Sequence, residues 1–315
     1  MNQTPTKIIG FMWALSIAIP VSIAQEVPFA PDQIPAAAFK DVDVGDEHYV
    51  AIRFLKDRNI IGGYEDGTFR PEKEINRAEA LKIILGTVNK PAQKTSDTTV
   101  AAFEDVLPSD WFEPYVLKGV ENGIVTGYPD GLFHPERTIN KVESLKLVLL
   151  QENHQLPVTI AEPPYSDVPV DEWFAPYAQV SKERGLFLEN RSAGALDPAQ
   201  KLNRGTFAEL IYRLLESTNG YHFGRATYYA DELASRGTAS GDPYDPRIFT
   251  SAHKELPFGT KLRVTNLANG KSVDVKVNDR GPYATGVELD LSKSAFAAIA
   301  STGTGIIFTQ YKIIE

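Results

Sequence analysis

Between residues 39 and 217 the apolar positions recur at helical spacing. Val50, Phe54 and Leu55 alternate with Arg53, Lys56 and Asp57, which predicts an amphipathic helix from Val50 to Asn59. Leu81, Ile84 and Leu85 form the stripe of a second helix. Its start is marked by Asn76 at the N-cap and Glu79 three residues later, the two halves of a capping box. Asn140 with Glu143 repeats that signal, and Asn203 keeps the cap with Thr206 in place of the acid. Gly62-Gly63 and Asp66-Gly67 punctuate the loop between the first two helices. From Tyr221 the helical period stops. Short β-branched and aromatic runs follow at Gly224–Tyr229, Lys261–Asn266, Ser272–Asn278, Val287–Leu291 and Gly305–Ile314. Asn269-Gly270 reads as a two-residue hairpin turn, because both positions tolerate positive φ. Ser292 caps a short helix, Lys293–Ala300. The pattern predicts a multidomain chain, with all-α helix-loop-helix units followed by a small, mostly-β closed barrel.

The helical part repeats itself. Phe39-Lys-Asp-Val42 recurs as Phe103-Glu-Asp-Val106 and Tyr165-Ser-Asp-Val168, at offsets of 64 and 62 residues. Gly67-Thr-Phe-Arg-Pro71 recurs as Gly131-Leu-Phe-His-Pro135 and, more loosely, as Gly194-Ala-Leu-Asp-Pro198. Ile75-Asn76-Arg77, Ile139-Asn140-Lys141 and Leu202-Asn203-Arg204 follow at the same distance. Trp111-Phe112 and Trp173-Phe174 open the first helices of units two and three, where unit one has His48-Tyr49. The units are expected at 39–93, 103–152 and 165–217, with the barrel at 221–315.

Ahead of them, Lys7 and the apolar run Ile8–Ile23 end in Ser22-Ile23-Ala24, a small-x-small cleavage pattern. Residues 1–24 are therefore expected to be an export signal, cut after Ala24, and 25–38 a Pro/Ala-rich linker; the alternative is an uncleaved anchor. Composition narrows the chemistry further. A formal charge of −9 argues against nucleic acid as a partner. The 315 residues contain no cysteine, which removes disulfides, thiolate metal sites and lipidation at cysteine. The five histidines are scattered without metal-ligand spacing, so no metal and no cofactor are expected.

The chemistry concentrates in Val277-Asn278-Asp279-Arg280-Gly281-Pro282-Tyr283, where an alternating strand delivers a carboxylate to a turn. Asp242-Pro243-Tyr244 and Thr250-Ser251-Ala252-His253 are similar in character. Asp279, Asp242 and His253 are expected to converge on a glycan-binding cleft. Structural roles stand beside these readings: Asp279 as a turn acceptor, Asp242 in an Asx-turn before Pro243, and His253 as a hydrogen-bonded histidine. Tyr229 and Tyr244, with Tyr228 and Tyr283, are either sugar-stacking surfaces or half-buried strand residues. Asp290, just before the cap at Ser292, is expected to be structural.

The repeated F-x-D-V, W-F-x-x-Y, G-Y-x-D-G-x-F-x-P and I-N-R-A-E segments resemble the S-layer homology domain, here in three tandem copies. The resemblance implies noncovalent attachment to a secondary cell-wall polymer or peptidoglycan, and places the polymer-binding cations at Arg77, Lys141 and Arg204. At a helix start these would join free backbone N–H groups in holding an anion. The third unit has Phe187-Leu188-Glu189-Asn190 in place of the G-Y-x-D-G loop, so its groove is the weakest of the three.

Residues 224–314 are similar to the rare lipoprotein A family, which implies a six-stranded double-psi β-barrel. The segments that carry this are Gly224–Tyr229, Thr238–Tyr244, Thr250–Lys254, Leu256–Thr260, Val277–Tyr283 and Asp290–Ser292. The resemblance implies a lytic transglycosylase acting on peptidoglycan strands stripped of stem peptides and leaving 1,6-anhydro ends. It makes Asp279 the catalytic acid and Asp242 its partner, where the family has glutamate, and it makes His253 the conserved histidine. Thr238, Asn278, Arg280, Tyr229 and Tyr244 would contact substrate. The competing expectation is a non-catalytic wall-binding or expansin-like wall-loosening protein, favoured by the aspartate at 242. Either way the protein is expected to be secreted to the cell envelope.

Overall fold

The computed structural model describes residues 39–43, 46–88, 103–187, 194–230, 233–284 and 287–315. The expected leader, the linker that follows it, and Leu188-Glu189-Asn190 lie outside these residues. Six helices come first: α1 Tyr49–Asp57, α2 Arg77–Gly86, α3 Glu113–Glu121, α4 Lys141–Gln151, α5 Ala175–Arg184 and α6 Arg204–Thr218. Strands β1 His222–Tyr228, β2 Thr250–Ala252, β3 Lys261–Asn266, β4 Ser272–Asp279 and β5 Val287–Leu291 follow, then α7 Lys293–Ile299 and β6 Ile307–Ile313.

The sequence signals for helix starts act as the chemistry of caps requires. Asn76 accepts from Glu79 N at 2.8 Å while Glu79 reaches back to Asn76 N at 3.3 Å. Asn140 and Glu143 do the same, and Asn203 accepts from Thr206 N without a return bond. The segments entering α2, α4 and α6 then join in a ring. Ile75 N donates to Leu202 O (3.0 Å), Leu202 N to Ile139 O (3.1 Å) and Ile139 N to Ile75 O (3.2 Å). Each turn ahead of these segments is clamped by the aspartate of the D-V motif. Asp41 accepts from Phe69 N and Arg70 N, Asp105 from Phe133 N and His134 N, and Asp167 from Leu196 N and Asp197 N. The second donor of each pair sits at φ of 56–59° just before a proline, a left-handed backbone that non-glycine residues adopt at a cost. Two hydrogen bonds to a carboxylate offset that cost and explain why the two motifs travel together.

The junctions between helix pairs are not alike. Lys82 lies 5.4 Å from the ring of exposed Trp111, and Lys146 lies 5.6 Å from that of exposed Trp173. Between α6 and α1 the corresponding positions are Glu209 and His48, both buried, with His48 Nδ1 2.9 Å from Glu209 Oε2. Arg213 grips the other carboxylate oxygen and donates to Leu186 O at 3.1 Å.

The strands close into a barrel of order β1-β5-β2-β4-β3-β6. β3 and β4 pair antiparallel about Gly270 (φ +72°), but not through the expected two-residue turn: residues 267–271 separate the strands and Asn269 is not at positive φ. β2, only three residues long, was not among the expected strands. It pairs parallel to β4 and antiparallel to β5, with a register shift between Ser251 and Ala252. Alternate side chains fill the interior: Val273, Val275 and Val277 from β4, Leu289 and Leu291 from β5, and Leu262 and Val264 from β3, capped by Phe296 of α7. The barrel is seated on the helices. α6 leads into β1 through Asn219, Gly220 and Tyr221, and Phe223 and Leu267 join the helical core. Tyr212 stacks edge-on against Phe54 and Phe223 (4.8 and 6.0 Å between ring centres) and donates its hydroxyl proton to Gln310 Oε1.

Candidate active site

The register shift in β2 decides what shares a face. Ser251 opposes Val277 but Ala252 opposes Asp279, so one residue of β4 is passed over. On its other side Ala252 opposes Asp290 of β5, which in turn opposes Thr227 of β1. Directly opposed residues point to the same side of a sheet. Thr227, Asp290, Ala252 and Asp279 therefore lie in a row on the barrel's outer face.

Asp279 is held by three donors. Tyr229 Oη donates to Oδ2 at 2.7 Å, while Ala239 N and Arg280 N both donate to Oδ1 at 2.8 Å. Ala239 belongs to the segment between β1 and β2, which also bonds to β4 through Ser240 N and Asn278 O (3.1 Å). Gly281, at φ +119°, turns the chain away immediately after Arg280, a backbone that favours glycine. Burial, then the bond to Asp279 and the charges of Asp279 and Asp290, push the Tyr229 phenol well above its ordinary range, so it acts as a donor. Asp290 is half-buried and accepts from Thr227 Oγ1 at 2.9 Å. Burial first, and then the Asp279 charge, raise its carboxyl above the ordinary value, against the opposing Thr227 bond. A residue expected to be structural thus interacts electrostatically with the central carboxylate.

The other expected site residues are distributed differently. Asp242 is exposed, and among the described residues its carboxylate has one contact, 3.4 Å from Ser240 Oγ; it does not meet Asp279. Its backbone carbonyl accepts from Thr238 N and Oγ1, both at 2.8 Å, which makes Thr238 a turn residue. His253 is also turned away from Asp279. Its Nδ1 accepts from Glu255 N (3.1 Å) and Leu256 N (2.9 Å), donors that cannot reverse, so the proton resides on Nε2 and is given to Tyr311 Oη at 3.0 Å. Burial lowers its tendency to charge. Both ring nitrogens are occupied by protein, and His253 contributes to the site through its backbone N–H, which donates to Asp279 O at 3.2 Å. Arg280 Nη1 donates to Leu256 O (2.9 Å) and His253 O (3.3 Å), with the guanidinium 3.8 Å from the Phe258 ring centre. Asn278 is buried. Tyr244 is buried too, stacked on Tyr229 at 4.8 Å, so of that pair Tyr229 faces the carboxylates and Tyr244 supports it.

The three cations at the helix starts are buried beneath the loop of the next unit. Arg77 lies 4.8 Å from the Tyr128 ring centre and Arg204 5.0 Å from that of Tyr64. Each groove has an acid and a second cation beside these groups: Glu143 with Arg137, and Glu79 with Lys73. Lys141 differs. It is 1% exposed, donates to Leu196 O at 2.9 Å, and faces Phe187 with no acid in the position of Thr206. The expectation of free N–H groups at these helix starts does not hold. Arg77 N and Ala78 N bond to Arg137 O and Pro135 O, Lys141 N and Val142 N to Gln200 O and Pro198 O, and Arg204 N and Gly205 N to Lys73 O and Pro71 O. Packing between units has consumed these backbone donors, which leaves the side chains of the grooves as the groups that could meet an anion. Among the described residues no cluster of His, Asp and Glu has the geometry to hold a metal ion.

A family model described as "Lytic transglycolase" matches residues 222–311, and one described as "S-layer homology domain" matches residues 38–81 and 102–143. The expected third copy is not among the matched stretches. Two relatives are named "Probable endolytic peptidoglycan transglycosylase RlpA". One, from Treponema pallidum, is 49% identical over 83 residues, 26% of each chain. The other, from Nostoc sp., is 38% identical over 121 residues, 37% of this chain and 33% of that one. A "Cellulosome-anchoring protein" of Acetivibrio thermocellus is 33% identical over 136 residues, 42% of this chain and 30% of the other. The matched segments thus span a quarter to a third of these relatives' own lengths.

Proposed function

We propose that this protein is a wall-anchored lytic transglycosylase that cleaves peptidoglycan glycan strands, with stem peptides removed, and leaves 1,6-anhydro ends. Three S-layer homology repeats, 39–93, 103–152 and 165–217, tether it, and the barrel of 221–315 cuts. The observation that supports this most is Asp279, a half-open carboxylate pinned by three donors on the outer face of a barrel similar to the transglycosylase relatives. The ring of bonds among Ile75, Ile139 and Leu202 supports counting the third unit as a repeat. Two grooves, at Arg77 and Arg204, have a cation, a tyrosine, a second cation and an acid, the equipment for an anionic polymer. We take Lys141 as a structural cation. The export signal of residues 1–24, cut after Ala24, belongs to the same proposal.

The chemistry asked of the site is small in number of parts. A carboxyl proton goes to the glycosidic oxygen as the bond to C1 breaks, positive charge spreads over the ring, and the sugar's 6-oxygen closes on C1 while its hydroxyl proton passes to a carboxylate. Neither water nor a covalent adduct is needed. The test is digestion of peptide-stripped strands with the full chain, with products resolved by mass. Anhydro-ended fragments from the wild type and none from Asp279→Asn are expected. Absence of any release by the wild type refutes the enzyme reading. It would leave the non-catalytic wall-binding reading, which the exposed, uncoupled Asp242 favours.

A further inference from the structure

We propose that Asp279 and Asp290 act as a pair across Ala252, with Asp290 giving the proton to the departing glycosidic oxygen and Asp279 taking the proton of the 6-hydroxyl. This rests on the transglycosylase reading above and goes beyond it, since it replaces Asp242 as the second carboxylate.

Geometry carries the pairing. Ala252 is opposed by Asp279 on one side and by Asp290 on the other. Neighbouring strands lie about 4.8 Å apart, so the two aspartate Cα atoms stand about 10 Å apart with only a methyl group between them. Carboxyl pairs spaced about 6.5–9.5 Å in inverting glycosidases leave room for an attacking water. In an anhydro-forming reaction on a β-linked strand no such water is used: the 6-hydroxyl closes on C1 from the side the glycosidic oxygen leaves, so both carboxyls must reach one side of the ring, as two acids on one face of the sheet can.

The donors around each carboxyl divide the labour. Two backbone N–H groups hold Asp279 Oδ1, and such groups cannot turn around to accept a proton. With Oδ1 committed to those donors, Oδ2, beside Tyr229, is the oxygen placed to take the 6-hydroxyl proton. Among the described residues Asp290 has one hydrogen-bond donor, the hydroxyl of Thr227, which can rotate to accept when the carboxyl is protonated. The groups that face Asp290 are Thr227 on β1, Asp279 on β4 and, over both acids, Tyr229. Among the described residues the charge acting on Asp290 is that of Asp279, and no cation opposes it. Burial and that like charge both favour the protonated acid.

The step balances. The Asp290 O–H bond breaks as its proton joins the glycosidic oxygen, and the C1–O bond breaks with its electron pair leaving on that oxygen. The 6-oxygen forms the new bond to C1 while its proton passes to Asp279. Transfer of that proton from Asp279 to Asp290 through solvent restores the starting state, with no net proton consumed.

The experiment measures kcat and KM against pH for the full chain on peptide-stripped strands. Asp290→Asn is expected to lower kcat by at least about 100-fold with little change in KM or in retention on sacculi. Thr227→Val tests the same acid without removing it. Losing the donor raises Asp290 further, so the limb on which activity falls with rising pH moves to higher pH. A merely structural Asp290 would not move that limb. Asp290→Asn within about tenfold of wild type, or Thr227→Val with the limb unmoved, overturns the pairing; should Asp290→Asn fail to fold, the Thr227→Val profile decides. An inactive Asp279→Asn in that same experiment leaves the transglycosylase reading standing, whereas a wild type that releases nothing ends both.

Discussion

Replacing Glu209 by glutamine is expected to destabilise the helical half by about 3–5 kcal/mol, because it leaves a buried cation without its counter-charge. Arg213 is 2% exposed, Glu209 5% and His48 7%, so water cannot take over the lost interaction. The cluster joins α6 to α1, the first and last helix pairs, and so closes the ring. At about 2–4 °C per kcal/mol for a unit of this size, the melting midpoint falls by roughly 6–20 °C. The effect depends on pH with a defined sign. Burial works against a charged His48, but the hydrogen bond and charge of Glu209, aided by Glu47 and opposed by Arg213, outweigh it and raise the imidazole above its ordinary 6.5. A raised histidine contributes fully below 6.5 and loses its contribution as pH climbs through the folded value. Burial likewise pushes Glu209 up, but Arg213 and His48 outweigh it and hold the carboxyl below 4.5, so its contribution is present above 4.5 and is lost in acid. In the glutamine variant burial and Arg213 drive His48 below 6.5, so acid now destabilises. The gap between wild type and variant therefore widens from pH 8 to pH 5. Thermal unfolding followed by the helical circular dichroism signal at several pH values measures this. A loss below about 1 kcal/mol, or a gap that narrows towards pH 5, refutes the account.

Asp105→Ala removes the acceptor of Phe133 N and His134 N and is expected to cost about 2–4 kcal/mol, measured by urea unfolding of the full chain. Lys141→Met should leave retention on sacculi unchanged, whereas Arg77→Ala and Arg204→Ala each weaken it, as read by pull-down; equal losses from all three would restore Lys141 to the binding set. Tyr229→Phe removes the donor to Asp279 Oδ2 and is expected to slow strand cleavage about 10–100-fold, the rate equivalent of one hydrogen bond to a charged group.

The sequence by itself determined what depends on neighbours a few residues apart. The asparagine caps and their returning glutamates span three residues, and the alternation of Val273, Val275 and Val277 needs only the pleat; Asn269-Gly270 marked where the chain reverses but not the length of the loop. The repeat itself announced three similar units, and the tight residue set around Asp279 announced a carboxylate at a strand end. Tertiary structure decided whatever depended on register between strands distant in the chain. The skipped residue opposite β2 brings Asp279 and Asp290 to either side of Ala252, and no local pattern encodes that shift. Strand alternation also sends His253 away from the face that Ala252 shares with the two acids, although the two residues are adjacent in sequence. Packing of one unit against the next filled the backbone donors at three helix starts and buried Lys141. Side-chain chemistry is written residue by residue. Which side chains face one another is settled only when the sheet closes and the units dock, because burial and sheet register are properties of the whole chain.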